Sequence, residues 1–393
     1  MQSAGAVRRA VIAAFVTYVV FGLPDGVFGT VWPNFRDDFG RSDSSLGWLS
    51  LAIAAGYTSG SLSASPAAER FGLPRALPAS MVLATFGLAT IAGAPTFWVA
   101  VAAYVALGYG WGLTDAGINA WVALTQGPRA MGMLHASYGA GAFGGPLLAT
   151  AFVADGAAWR GAYVVCAVLT GATIIGLIAT RNGFAIAATR PEIAGRSEPD
   201  HATRALLLLV LWFAVYVGVE VGVGAWAFTL LTEGRGESDR AAGILTASYW
   251  GGLMVGRFGL AALGHRIHPE RTIRVATGGA IVSTVVLWAD PGGSGGLALP
   301  VMGLMYSVMF PLAIGQTATY VGEARATRAV GYQIGGTTVG FVALTALIGV
   351  LADAHGVGVT VPVILITTGV LAAIWFALER TVRPTAGERA SST

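Results

Sequence analysis

The sequence predicts an all-α polytopic membrane protein with twelve transmembrane helices in two six-helix repeats. Three observations predict it. Of 393 residues, 55% are hydrophobic and only 11% charged, whereas a soluble domain carries about a quarter charged residues. Apolar runs near the roughly 20 residues that a bilayer crossing requires recur along the whole chain. The second half also repeats features of the first at a nearly constant offset. The 56 glycines suit this class, because small residues let membrane helices approach closely.

The expected spans are 10–33, 46–68, 77–94, 97–125, 132–154, 161–180, 205–231, 242–263, 274–290, 297–320, 331–352 and 359–378. Charged breaks such as FRDDFGRSD, ERFGLPR and TEGRGESDR separate most of them. Between the third and fourth only GAPTF intervenes. The first span is too long for the apolar core of a secretory signal and is read as a membrane crossing.

Orientation follows from arginine placement. An even number of spans puts both chain ends on one side. Only Arg36, Arg41, Arg160, Arg235 and Arg240 fall in loops on the other side, and all other loop arginines share the side of the chain ends. The expectation is a multi-pass inner (cell) membrane protein with both termini cytoplasmic. Residues 1–180 form the first six-helix bundle, 181–204 a basic cytoplasmic linker, and 205–393 the second bundle with a short tail.

The repeat shows in particular residues. FGLPDGVFGTVW carries Asp25, and YVGVEVGVGAW carries Glu220 about 195 positions later, with Gly29 falling on Gly224. Gly56 and Gly60 precede AAERFGLPR as Gly252 and Gly256 precede LGHRIHPER, which aligns Arg70 with Arg266 and Arg75 with Arg271. Parallel repeats with a site between them at mid-membrane are a transporter layout.

Several functions are disfavoured. The single cysteine, Cys166, permits no internal disulfide and no cysteine-based cluster. The five histidines show no HxxxH or HExxH spacing, so neither a metal site nor a cofactor is expected. The basic residues are all arginines spread over loops, which is no nucleic-acid signal. No motif directs the reading to an enzyme.

Ionisable groups inside spans mark function, since a charge at the bilayer centre costs several kcal/mol unless it faces a cavity or a partner. The intramembrane acids Asp25, Asp115 and Glu220 are the candidate proton-coupling residues. The alternative for each is a structural one: capping a broken helix, which Pro24 beside Asp25 would favour, or bonding exposed backbone. In DAGIN, Asp115 and Asn119 lie four apart on one helical face. In LHASYG, His135 and Tyr138 lie three apart. His135 is read as near the cytoplasmic end and able to tune coupling. Tyr138, Trp226, Trp250, Gln316 and Gln333 are the remaining candidates for a polar small-molecule substrate, against ordinary interhelical or core roles for each. Glu69, Arg70, Arg75, Arg257 and Arg266 are candidate gate residues. Trp32, Trp48 and Trp98 are read as interfacial belt residues.

The loop ASPAAERFGLPRA, with Glu69, Arg70, Gly72 and Arg75, resembles the major facilitator superfamily signature GxxxDRxGRR, with Glu in the acidic place. GLTDAGINAW, LHASYGAGAFGGPLL, YVGVEVGVGAW, VGYQIGGTTVG and MFPLA are similar to the fucose permease and glucose/galactose transporter branch. The resemblance implies a proton-coupled sugar symporter working by alternating access, with Asp115 and Asn119 at the branch's proton-coupling and sugar-binding positions. The expected partners are a small-molecule substrate, protons and the bilayer around a monomer. Protons are preferred over sodium because no residue set makes a sodium cage. Gly132, Gly141, Gly145 and Pro146 also fit the fifth-span motif of drug antiporters, although Ala149 and Thr150 replace its final pair. A proton-coupled exporter of amphiphilic compounds is therefore the second reading, and a non-transporting membrane sensor on the same fold is the third.

Overall fold

The computed structural model describes residues 4–154, 158–184, 201–263 and 266–382. Most of the expected 181–204 linker, with Arg190 and Arg196, and the tail beyond 382 lie outside these residues.

The helices are α1 (Ala4–Thr30), α2 (Trp32–Asp38), α3 (Leu46–Phe71), α4 (Leu73–Ala92), α5 (Phe97–Thr125), α6 (Pro128–Val153) and α7 (Arg160–Thr180) in the first half. The second half holds α8 (Ala202–Arg235), α9 (Asp239–Leu263), α10 (Pro269–Ala289), α11 (Leu299–Ser307), α12 (Met309–Gly315), α13 (Thr317–Val321), α14 (Glu323–His355) and α15 (Thr360–Val382). With α11–α13 as one interrupted crossing, the described residues make twelve passes. The narrow GAPTF boundary is a true one. α4 ends at Ala92, and Thr96 caps α5 by accepting from the Val99 amide at 3.4 Å.

Proline positions gave one expectation that the structure corrects. α1 runs unbroken through Pro24 and is interrupted only at Val31, ahead of Pro33. The break in the tenth crossing falls between Ser307 and Met309. Pro311 explains it, because a proline nitrogen cannot donate to the carbonyl four residues back, which here is Ser307.

The duplication is visible in packing. In the first half α3 packs on α5, α1 on α6 and α7, and α4 on α7. In the second half α9 packs on α11, α8 on α14 and α15, and α10 on α15. The same glycines serve both sets. A Cβ on Gly56 or Gly252 would collide with the backbone carbonyl of Val105 or Pro300 respectively. Gly127 and Gly322, repeat-equivalent turn residues, adopt φ of +82° and +84°, a region that only glycine enters at low cost.

The halves meet through α6 against α9, α14 against α3, and α1 against α8. Gly29 of α1 sits directly on Gly224 and Ala225 of α8, so the helices cross at the duplicated glycine. Among the described residues nine helices are long and apolar enough to cross a membrane. The passes that fall short of that measure are α3, α6 and α9. All of them lie at the contact between halves, where polar residues meet protein rather than lipid.

Candidate functional site

Three acids lie where the helices converge, and each has a different setting. Asp115 on α5 accepts from the Tyr18 hydroxyl of α1 at 2.7 Å, the Tyr57 hydroxyl of α3 at 2.7 Å and the Asn119 amide at 3.0 Å. Asn119 also donates to the Tyr18 oxygen at 2.7 Å. The four-residue spacing of DAGIN thus puts acid and amide on one face, and two neighbouring helices supply the remaining donors.

Asp25 on α1 accepts from the Tyr138 hydroxyl of α6 at 2.6 Å. Tight α1–α6 packing makes this reach possible. A Cβ on Gly22, Gly26, Gly141 or Gly145 would meet backbone of the partner helix. The glycine spacing shared with drug antiporters therefore has a packing role here. Gly132 takes no part in it and only approaches Ala261 of α9.

Glu220 on α8, the repeat equivalent of Asp25, is buried and forms an ion pair with Arg257 of α9 at 2.7 Å. The Tyr249 hydroxyl donates to the Glu220 backbone carbonyl at 2.7 Å. The Tyr216 hydroxyl donates to the Tyr306 carbonyl at 2.8 Å and lies beside both Glu220 and Arg257.

His135 lies deeper than expected. Its ring meets the Tyr18 ring edge-on, with centroids 6.3 Å apart, and it feels the charges of both Asp115 and Arg257. It is nevertheless exposed.

Other candidates sit in the packing. Trp226 is fully buried, with its indole nitrogen donating to the Thr345 carbonyl at 3.3 Å. Trp250 is buried with its ring against Gly224, and its indole N–H has no partner among the described residues. Gln333 is fully buried and bonds the Thr317 hydroxyl at 3.0 Å, tying α14 to α13. Gln316 is half-buried at the junction of α12 and α13. Trp48 and Trp98 are exposed, as a membrane belt requires. Trp32 is 1% exposed and donates to Asp43 at 3.0 Å, so it is a packing residue rather than a belt residue.

The gate candidates divide. Glu69, Arg70 and Arg75 are exposed and form no ion pair among the described residues, while Glu69 accepts from Ser65 at 3.2 Å. Arg266 is exposed on the same side. Arg257 belongs instead to the central cluster. The side opposite the chain ends is bolted shut by residues that the sequence did not suggest. Arg36 bonds Asp43 at 2.7 Å and, across the halves, Glu233 at 2.8 Å. Asp353 of α14 accepts from the backbone amides of Asp43 and Ser44 at 2.7 and 3.1 Å. The central tyrosines Tyr18 and Tyr57 also went unread, since a tyrosine in an apolar run has no distinctive pattern; Tyr18 lies two turns before Asp25, and that spacing was the available signal.

Comparison with known proteins agrees with this architecture. A sequence model of the Major Facilitator Superfamily matches residues 14–300. The mouse sodium-dependent glucose transporter 1A is 23% identical over 398 residues, covering 90% of this chain and 91% of that protein. Bypass of stop codon protein 6 of Saccharomyces cerevisiae is 26% identical over 296 residues, covering 67% of this chain; the chain spans 59% of that relative's length. A glucose/galactose transporter of Brucella abortus is 33% identical over 112 residues, covering 28% of this chain and 27% of that protein. Among solved structures, a bacterial homologue of the lysosomal transporter Spinster in an inward-facing, occupied conformation superposes with a TM-score of 0.76 at 14% identity, covering 96% of this chain and 98% of its own. A D-xylose-proton symporter superposes at 0.75 and 13% identity, covering 94% of this chain and 97% of its own. With most of its length matched by the family's model and the paired-bundle fold in place, the chain belongs to the Major Facilitator Superfamily.

Proposed function

We propose that this transporter carries a sugar or similar small polyhydroxylated solute together with protons, by alternating access between its two halves. The observation that carries the reading is the Asp115 cluster. An acid, an amide and two tyrosine hydroxyls converge from three helices, with the exposed His135 ring against Tyr18. Such a set can exchange hydrogen bonds with sugar hydroxyls and bind a proton on the same carboxyl group. Asp25 is the second proton-binding group. Neither Asp115 nor Asp25 has a cation bonded to it among the described residues, and protonation is the remaining way to neutralise an acid in a membrane interior. Glu220 differs, because Arg257 already neutralises it.

The bolted side is the extracellular one in this reading, and the conformation is inward-facing. The chain ends are cytoplasmic, as are Glu69, Arg70 and Arg75, which form no ion pair among the described residues, and these arginines pair when the cytoplasmic side closes. Sugar transporters among the relatives support the substrate class.

The test is flux into proteoliposomes holding purified protein and a trapped pH dye, with a panel of hexoses, pentoses and amphiphilic drugs, in sodium-free and sodium-containing buffers. The expected result is internal acidification on adding one sugar without sodium, abolished in Asp115→Asn. Sugar uptake that requires sodium and moves no protons would transfer the coupling to sodium. Proton movement with drugs alone would establish export.

A further inference from the structure

His135 stands beside the Asp115 cluster with its own bonding capacity unspent. It lies on α6 between Gly132 and Gly139, three and four residues away, and so shares their stripe of the helix. That stripe faces α9. A Cβ on Gly132 would lie 3.5 Å from Ala261, and one on Gly139 would lie 3.3 Å from Met254. Farther along, Gly243 meets Thr150. These contacts keep one antiparallel register, which puts His135 in the cleft between the halves, opposite Arg257 and Phe258 of α9.

The neighbours Leu134 and Ala136 are fully buried, and so is Tyr18, whose ring meets the imidazole edge-on. His135 itself is exposed, and neither ring nitrogen has a hydrogen-bond partner among the described residues. Asn119 bonds the same tyrosine. Its amide nitrogen donates to the Tyr18 hydroxyl at 2.7 Å and to the Asp115 carboxylate and backbone carbonyl, each at 3.0 Å. An amide has two N–H donors and one carbonyl acceptor. Those bonds therefore fix its orientation and consume its donors, and Oδ1 is left without a partner among the described residues.

We propose that His135 is a solute-binding residue, paired with Asn119 through their common contact Tyr18, and that the pair takes a neutral solute with adjacent hydroxyl groups. A neutral imidazole offers one donor and one acceptor, and the Asn119 carbonyl offers a second acceptor. One solute hydroxyl donates to Asn119 Oδ1, and its neighbour exchanges a hydrogen bond with His135. Arg257, opposite, is already bonded to Glu220 at 2.7 Å, so it is not an unspent cation for an acidic solute. Asp115 holds the pair in place, because its Oδ1 binds both Tyr18 and Asn119. His135 lies about two turns from the start of α6 at Pro128, on the side of the chain ends, so solute meets the pair from the side away from the bolt. This deepens the sugar reading above and rests on it.

The test is modification of the full-length protein in nanodiscs by diethyl pyrocarbonate, which acylates accessible neutral imidazoles, at fixed pH and read at each histidine by peptide mass spectrometry. The probes are D-glucose, D-xylose and the other neutral sugars of the flux panel, with D-gluconate as the acidic counterpart. His135 should react readily, and a saturating neutral sugar should slow that reaction about tenfold or more. His268, exposed at the start of α10, should react at an unchanged rate. In Asn119→Leu the reaction persists and the protection is lost. In the flux assay His135→Leu should raise KM about tenfold, as loss of a hydrogen bond in a binding site does. His135→Gln, which keeps a donor and an acceptor, should raise it less. No protection of His135 by any neutral sugar, protection that survives Asn119→Leu, or protection by D-gluconate alone would each overturn the proposal. Sugar flux without that protection would overturn it and leave the transport reading standing, whereas protection without flux of any sugar would overturn the transport reading alone.

Discussion

The side chain whose surroundings are most fully built is Asp115, and its neighbours make separable contributions. Tyr18 gives the carboxyl one hydrogen bond and accepts one from Asn119, while Tyr57 gives one. A hydrogen bond to an ionised group contributes about 1.5–3 kcal/mol. Tyr18→Phe should therefore lower proton-coupled uptake by about 10- to 100-fold, and Tyr57→Phe by less, because Tyr18 also accepts a hydrogen bond from Asn119 and so joins the amide to the acid. Initial rates in the vesicle assay order the two, and equal effects would remove Asn119 from the cluster's function. Arg257 and Glu220 behave as a unit. Removing one partner of a buried pair costs about 3–5 kcal/mol, whereas replacing both with neutral groups costs far less. Arg257→Ala should lower the unfolding temperature sharply, and Glu220→Gln/Arg257→Gln should recover most of the loss; a double variant as unstable as the single one would show that packing, not charge, dominates there. The acids were legible in the sequence because an ionisable group inside an apolar run stands out. Their partners were not, because tyrosine is at home in cores and belts, and nothing local says which arginine reaches which acid.

At the level of helices, the sequence carried boundaries and repeats well where composition changes abruptly. α5 begins and ends where the apolar run does, at Phe97 and Thr125. It carried proline effects poorly: Pro24 is absorbed in a continuous helix, whereas the helix breaks one turn before Pro311. Glycine is likewise ambiguous until packing is known. Gly252 touches the Pro300 carbonyl, whereas Gly278, on the next helix, has nothing within 4 Å. Overpacking a close contact costs about 1–3 kcal/mol or more. Gly252→Leu should reduce the folded yield and lower the unfolding temperature, while Gly278→Leu should leave both near wild type. Tolerance of leucine at both positions would mean that α9 and α11 pack less closely than described.

Across the whole molecule, closure on the side opposite the chain ends uses the duplication twice. Gly47 of α3 rests on Ala346 of α14, and Gly243 of α9 rests on Thr150 of α6. An offset of 196 relates Gly47 to Gly243 and Thr150 to Ala346, so one contact is reused on each flank of the interface. Arg36–Glu233 and the Asp353 bonds to the Asp43–Ser44 turn then fasten it. Neither layer could be read beforehand, because both join residues from opposite halves whose meeting depends on the conformation. The Arg36 bond across the halves ends on the exposed Glu233 carboxylate, and ion pairs with an exposed partner contribute at most about 1 kcal/mol each. The glycine layer is steric and admits no such screening. Leucines at Gly47 and Gly243 should therefore wedge this side open far more effectively than Arg36→Ala. Thr345, fully buried beside Ala346, provides the reporter as Thr345→Cys, probed with a membrane-impermeant maleimide from that side. Labelling should be slow in the parent protein, modestly faster with Arg36→Ala, and about tenfold faster or more with Gly47→Leu/Gly243→Leu, the ratio expected when the closed state loses about 1.4 kcal/mol. Equal rates in the parent and wedged proteins would show that these glycine contacts do not close the molecule. A larger effect from Arg36→Ala than from the wedge would make the ion pairs the principal fastening.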